Sequence, residues 1–377
     1  MNPLEKLSTF GQSPWLDDLR RSLITEGGLQ DLIDHGLRGL TSNPAIFEAA
    51  IAKSNDYDDA VQQLAQDGKS VEDIYRTLTV EDVQGACDLF RPLYDETGGA
   101  DGFVSYEVSP KLANDTDGTV QEARELWRII GRPNVMIKVP ATKEGLPAIR
   151  QLIGEGINVN VTLIFGLPRY KLVAQAYLDG LQDRVDQGES VERVASVASF
   201  FLSRVDSLVD PKLEAIQKEG GERGEHAGSI LGEIAVASAK MAYVAYKEIF
   251  GGEAFAKLAA QSAQPQRLLW ASTSTKNPAY SEDKYIKPLV GEPTVNTMAQ
   301  KTLDYYRESG EPAATLEQGA DKADEILKTL ESLGISIDDA TQQLEDEGVE
   351  KFVTPFGSLM DTLAEARNKA LEHASAQ

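Results

Sequence analysis

A (β/α)₈ barrel of the TIM type, dressed with additional helices, is the α/β fold that this sequence predicts, on three observations. Short β-type runs alternate with longer amphipathic stretches, which argues a parallel sheet covered by helices. Eight such units fit within 377 residues, a number that favours a closed barrel over an open, doubly wound sheet. Within the central runs, aliphatic and polar side chains alternate, so the two faces of each strand meet different surroundings.

The strands are expected near Trp15–Asp17, Gly39–Thr41, Gly102–Val108, Val135–Pro140, Ile157–Ile164, Ser196–Leu202, Arg267–Ala271 and Pro293–Thr297. Amphipathic helices are expected between them, among others at Asn55–Gln66, Val80–Tyr94, Thr119–Ile130 and Arg169–Val185. The stretch from Asp206 to Pro265 is too long for a single crossover. It holds EGGERGEHAG, read as a polar glycine-rich loop, and then an alanine-rich helical pattern through Phe250. It is therefore read as a helical insertion after the sixth strand, about 206–265, decorating a single domain that spans 1–377. From Leu316 the pattern is helical and ends in a polar tail, a C-terminal region of about 316–377. No internal repeat or low-complexity linker interrupts the chain.

The 60 acidic residues outnumber the 37 basic ones and leave a formal charge of −23. Such a surface repels polyanions, so nucleic acid and anionic membrane are excluded as expected partners. Phosphorylated small molecules remain compatible, because a few placed cations can focus a positive field inside a cleft. Cys87 is the only cysteine, which rules out an intrachain disulfide, and its helical setting suggests a buried thiol. The N-terminus has neither a basic segment nor an apolar stretch of signal length, and no run approaches the ~18 apolar residues of a membrane span. The expected location is the cytoplasm. No feature of the sequence specifies an oligomeric state.

Alternation in three consecutive runs points to chemistry. Val104, Tyr106 and Val108 share one face while Phe103, Ser105 and Glu107 share the other; Lys138 stands opposite Val135, Ile137 and Val139; and Asn158, Asn160 and Thr162 stand opposite Val159, Val161 and Leu163. If the aliphatic sets meet the helices, Glu, Lys, Asn and Thr converge inside the barrel, where such groups are costly unless paired or used. A buried Lys–Glu pair satisfied by Asn and Thr is the structural alternative. Convergence near the C-terminal strand ends, where barrel active sites lie, favours function. A lysine between Ile137 and Val139 is desolvated, which disfavours its charged form. A neutral amine attacks a ketone to form a Schiff base, an electron sink for breaking an adjacent C–C bond. A nearby carboxyl can shuttle the protons, and Asn side chains suit sugar hydroxyls.

Other motifs fail. Gly68-Lys69-Ser70 ends like a phosphate loop, but Gln63 occupies the position of its first glycine and no strand precedes it, so it reads as a turn opening a helix. His35, His226 and His373 lack ligand spacing, so neither a metal site nor a histidine triad is expected. There is no dinucleotide GxGxxG. No cofactor is expected.

The segments Gly39-Leu-Thr-Ser-Asn-Pro-Ala-Ile-Phe47, Val135-Met-Ile-Lys-Val-Pro-Ala-Thr142 and Glu144-Gly-Leu-Pro-Ala-Ile-Arg-Gln-Leu152 closely resemble the two signature motifs of the transaldolase family. The likeness continues through Ile157–Phe165 and Ser199–Arg204, covers most of the chain, and fits a longer, single-function subgroup. It implies a transferase that moves dihydroxyacetone units between sugar phosphates in the pentose phosphate pathway. By position, it implies Lys138 as the Schiff-base lysine and Glu107 with Thr162 on the catalytic water. Asp17 would accept the C4 hydroxyl proton, Asn43 and Asn160 would bind the dihydroxyacetone hydroxyls with help from Ser199 and Phe201, and Arg204 would hold phosphate. The family's second phosphate contact is an arginine after the seventh strand; here Ala271-Ser-Thr-Ser-Thr-Lys-Asn277 is longer and offers Lys276, a point charge without a bidentate fork.

Several positions have a second reading. Asn43 also fits a turn before Pro44, Asp18 lies one residue of register from Asp17, and Arg204 has Asp206 nearby as a surface partner. Two other functions compete as well: a related fructose-6-phosphate aldolase, which resembles this chain but carries Gln and Tyr where Glu107 and Phe201 stand, and a non-catalytic barrel that binds sugar phosphates.

Overall fold

The computed structural model describes residues 1–375. The strands are β1 (Gln12–Asp17), β2 (Gly39–Thr41), β3 (Phe103–Glu107), β4 (Val135–Pro140), β5 (Val159–Ile164), β6 (Ser196–Phe201), β7 (Arg267–Ala271) and β8 (Thr294–Met298). They form a closed barrel in sequence order, β8 returning to β1, with every pairing parallel. This is the (β/α)₈ architecture expected from the alternation of elements.

Register carries the alternation from strand to strand. Trp15 is level with Gly39 and Gly39 with Phe103, while Asp17 is level with Thr41 and Thr41 with Ser105. Glu107 is level with Lys138, and Lys138 with Asn160. Because side chains two apart share a face, Trp15 and Met136 line the same side as Asp17 and Lys138 one layer lower, and Phe103 lies two layers below Glu107. The Trp15 and Phe103 ring centres lie 6.4 Å apart with the rings tilted, and both residues are buried. The barrel interior thus has an apolar layer of Trp15, Phe103 and Met136 beneath a polar C-terminal rim, and below it Ser13 and Arg267 meet Asp101. The opposite strand faces, including Val104, Tyr106, Ile137, Val139, Val159 and Val161, are buried in the main core.

Helices cover the barrel for the local reasons the patterns suggested. Thr116–Ile130 opens on Asp115, whose side chain accepts from Gly118 N, and buries Val120, Ala123, Leu126 and Ile130 on one face. Val71–Glu96 opens on Ser70, whose hydroxyl accepts from Asp73 N, so Gly68-Lys69-Ser70 is a helix-opening turn; Cys87 lies buried along this helix.

Some elements differ from expectation. β1 begins at Gln12 instead of Trp15: Pro14, which cannot donate to a ladder, still joins it through its carbonyl, which accepts from Arg38 N. β8 lies one residue later than expected. EGGERGEHAG is not a loop: Gly221–Ser229 is helical. Gly220, at φ 74, turns the chain out of the preceding helix Ser203–Glu219, and a Cβ on Gly224 would lie 2.9 Å from Gln217 O. The glycines there allow a turn and a close helix approach, both of which a composition-based reading takes for a loop. Between β6 and β7 the chain continues through Ile234–Phe250 and Glu253–Ala259. The C-terminal region holds Ala320–Ser332 and the long helix Ile337–Ser375, which packs across helices from opposite sides of the barrel. Among the described residues, no helix is long and apolar enough to cross a membrane.

Candidate active site

Lys138 stands near the end of β4, only 5% exposed, with its Nζ 3.2 Å from Glu107 Oε2 on the neighbouring strand. The ammonium donates its hydrogen bond elsewhere, to the main-chain oxygen of Ser42 at 2.9 Å. Glu107 Oε2 is buried without a hydrogen-bond partner, so its contact with Lys138 is an ionic one outside hydrogen-bond geometry. Burial pushes the Glu107 carboxyl above the usual carboxylate range; Lys138 opposes this and Asp17 adds to it. The buried Lys–Glu pair anticipated from alternation is present, and it opens onto a cleft instead of closing on itself.

That cleft, of ≈ 170 Å³, lies at the C-terminal ends of the strands. Asp17, Asn43, Lys138, Thr162, Ser199, Phe201, Arg204 and Lys276 all line it. Glu107 and Asn160 lie beneath, Glu107 against Lys138 and Asn160 behind Ser199, whose hydroxyl donates to Asn160 Oδ1 at 2.7 Å while Asn160 Nδ2 donates to Ser105 Oγ at 3.0 Å. All ten residues singled out from sequence therefore belong to one assembly. A larger cavity of ≈ 950 Å³ is lined by Phe10, Tyr243, Tyr246, Phe250 and Pro293, at the N-terminal strand ends, away from these groups.

The open alternatives resolve in position. Asp17 lines the cleft and accepts from Thr41 Oγ1 at 2.6 Å, whereas Asp18 pairs with Arg20 at 2.7 Å outside it. Asn43 caps the helix Pro44–Ala52, its Oδ1 accepting from Ile46 N, and also lines the cleft. Arg204 does not pair with Asp206, which accepts from Ala235 N and from Tyr285 Oη. Its guanidinium carbon lies 5.3 Å from the Phe201 ring centre, and its Nη1 is buried with no partner. Burial lowers the Arg204 pKa from the usual guanidinium range, opposed by Asp17 and Glu347. A guanidinium keeps its proton nonetheless, and here it is a partly buried cation suited to an anion. Lys276 is an exposed second cation on the connection after β7.

Thr162 Oγ1 is buried and unpartnered. It is followed by Leu163 at φ 60, where β5 slips register against β6. A left-handed leucine is a strained backbone position, and bulges of this kind gather at functional rims because they re-aim side chains. Phe201 packs its ring 5.2 Å from Phe165.

Sequence reasoning did not reach four contributors. Thr41 and Thr297 bond to each other at 2.8 Å, and Thr41 donates to Asp17. Ser42 acts through its carbonyl. Phe352, on the long C-terminal helix, roofs the cleft with its ring centre 5.9 Å from Lys138 Nζ. The two threonines lie on expected strands, in phase with Asp17 and beside it in the barrel, a signal that was available; Phe352 had none. Among the described residues, no group of three or more His, Cys, Asp and Glu could hold a metal ion. His35 and His226 do not line the cleft, and the side chain of His373 lies outside the described residues.

The model of the Transaldolase/Fructose-6-phosphate aldolase family matches residues 14–363. The chain is 44% identical over 375 residues to the transaldolase of Trichodesmium erythraeum, covering 98% of each. It is 47% identical over 363 residues to that of Mycolicibacterium smegmatis, covering 96% of each. With the transaldolase of Thiobacillus denitrificans it shares 45% identity over 361 residues, 96% of this chain and 99% of the relative. Matches of this identity and extent, together with a closed barrel that gathers a buried lysine and its carboxylate neighbours at one rim, lead to one conclusion: the chain belongs to the transaldolase/fructose-6-phosphate aldolase family.

Proposed function

We propose that this chain is a transaldolase, which moves a dihydroxyacetone unit from sedoheptulose 7-phosphate or fructose 6-phosphate to glyceraldehyde 3-phosphate or erythrose 4-phosphate. The observation that carries the reading is the buried Lys138 amine, 3.2 Å from Glu107 in a cleft that also receives Asp17. Lys138 Nζ adds to the ketose C2 carbonyl to give a carbinolamine, and loss of water leaves an iminium. Glu107, with its carboxyl biased toward the protonated form, supplies the proton that lets that water leave, and recovers it on hydrolysis. Thr162 Oγ1 and Glu107 Oε2, both buried without a hydrogen-bond partner in the protein, are the pair suited to hold the water.

Asp17 then takes the C4 hydroxyl proton as the C3–C4 bond breaks, and the bond's electrons flow into the iminium to give an enamine. The aldose leaves, an acceptor aldehyde enters, and the same steps run backward to form the new C–C bond. Asn43 and Asn160, with Ser199, bind the hydroxyls of the three-carbon unit, and Phe201 keeps an apolar wall beside it. Arg204 and the exposed Lys276 receive the phosphate, Arg204 as a hydrogen-bonding fork and Lys276 as a point charge. Phosphate esters are retained inside cells by their charge, which supports a cytoplasmic location.

The test is direct. Purified protein given fructose 6-phosphate and erythrose 4-phosphate forms sedoheptulose 7-phosphate, followed by mass spectrometry. Absence of that product, or dihydroxyacetone released at a comparable rate without acceptor, rejects the transferase reading.

A further inference from the structure

Among the described residues that line the cleft, Phe352 alone comes from neither a barrel strand nor the connection that follows one. Its ring centre lies 6.0 Å from the guanidinium carbon of Arg204, which has the Phe201 ring at 5.3 Å. Arg204 thus faces two aromatic rings, its Nη1 has no hydrogen-bond partner, and the carboxylates of Asp17 and Glu347 act on it through their charge alone. We propose that Phe352 is a positioning residue that, together with Phe201, fixes the Arg204 guanidinium for a phosphate-bearing sugar and so sets the preference for phosphorylated over unphosphorylated substrates. The proposal rests on the reading of Arg204 as a phosphate contact.

A long, flexible arginine loses rotamer freedom when it grips an anion, and prior stacking removes part of that cost from the binding step. Aromatic faces attract the cation without neutralising it, so the positive charge stays available to phosphate. A carboxylate partner in the same place would instead compete with the substrate.

Phe352 can do this because its helix is docked on both sides of it. Seven residues earlier, Glu345 accepts a two-pronged contact from Arg169, at 2.9 and 3.0 Å. At Gly348 the helix comes so near the β5 bulge that a Cβ would lie 3.1 Å from Leu163 Cδ2 and 3.3 Å from the Phe165 ring. Four residues beyond Phe352, the Phe356 ring meets Tyr75 edge-on at 5.4 Å, with Lys111 over its face at 5.5 Å. Positions 345, 348, 352 and 356 follow the three- and four-residue spacing of one helix face. Phe352 is buried at the centre of that docked stripe.

The experiment compares wild type, Phe352→Leu and Phe352→Tyr. Calorimetry with inorganic phosphate reads the cation site alone, and kinetics with fructose 6-phosphate and with unphosphorylated fructose read its use. Phe352→Leu is expected to weaken phosphate binding and raise KM for fructose 6-phosphate by about tenfold, the scale of a desolvated cation–π contact, with kcat and the KM for fructose within about threefold. Phe352→Tyr, which keeps a ring, is expected to restore both quantities. Equal rises in KM for the two sugars, unchanged phosphate affinity, or no restoration by Tyr overturns the proposal. If Phe352→Leu fails to fold, Phe352→Met, which fills the space without a ring, takes its place in the same titration. A wild type that transfers nothing defeats the transaldolase reading, while phosphate affinity still decides the role of Phe352.

Discussion

Replacing Lys138 with methionine tests the electrostatic core of the site through stability alone. The Lys138 and Glu107 side chains are 6% and 5% exposed and 3.2 Å apart, so the substitution leaves a buried carboxylate without its cation. Removing one member of such a pair costs about 3–5 kcal/mol. Glu107 has an escape, which is to take up a proton. Burial already raises its pKa, and Lys138 is the chief influence holding it down, so in Lys138→Met it rises further. A carboxyl whose pKa is higher in the folded state than the unfolded value of about 4.3 binds more protons when folded between those two values. Stability therefore falls as pH climbs through that window, by up to about 1.4 kcal/mol per pH unit, and levels off above the folded-state value. The loss in Lys138→Met should be near its full size at pH 8 and much smaller at pH 5. The orphaned Ser42 carbonyl adds about 1 kcal/mol that does not depend on pH. Adding Glu107→Gln should recover most of the loss at pH 8 and flatten the profile. Urea unfolding followed by circular dichroism at both pH values measures this. A loss of equal size at both pH values, or no recovery in the double variant, would show that the carboxylate is not its source.

Three further outcomes follow from the same geometry. Borohydride added with fructose 6-phosphate should trap a dihydroxyacetone adduct on Lys138, located by peptide mass mapping; an adduct elsewhere removes Lys138 as nucleophile. Asp17→Asn should lower kcat by about a hundredfold or more, as loss of a positioned proton acceptor does, whereas Asp18→Asn should leave kcat within about threefold. Steady-state kinetics giving the reverse order would exchange their roles. Phe201→Tyr should raise acceptor-free dihydroxyacetone release relative to transfer, because a phenol can orient an acid or water toward the enamine carbon. An unchanged ratio of the two activities takes Phe201 out of that control.

The polar rim was legible because a strand has a strict period of two. Once Val135, Ile137 and Val139 face helices, Lys138 has to face the axis, and Glu107 and Asn160 follow from the same rule on neighbouring strands. What was not legible lies where that rule gives no information. Phe352 is an aromatic on one face of a long helix, indistinguishable by spacing from core residues such as Leu359 and Leu363, and only tertiary packing brings it above Lys138. The helix at Gly221–Ser229 was hidden by glycines, whose low helix propensity is outweighed by the close packing they allow against Gln217. Asp17 and Asp18 could be told apart only by Thr41 and Arg20, partners 24 and 2 residues away.

The hydrogen bond from Lys138 to Ser42 goes to a main-chain oxygen, and that has a consequence for how this site can change over time. Any amino acid at position 42 carries the same carbonyl, so the acceptor itself survives an exchange of the side chain. What inheritance must preserve is the route of the backbone between Thr41 and Pro44. That route is held by the Ser42 main-chain and side-chain bonds to Ser105 O, by the Asn43 cap, and by the fixed φ of proline. A descendant could lose the anchor of its reactive amine through a change at 43 or 44 while position 42 stayed as it was.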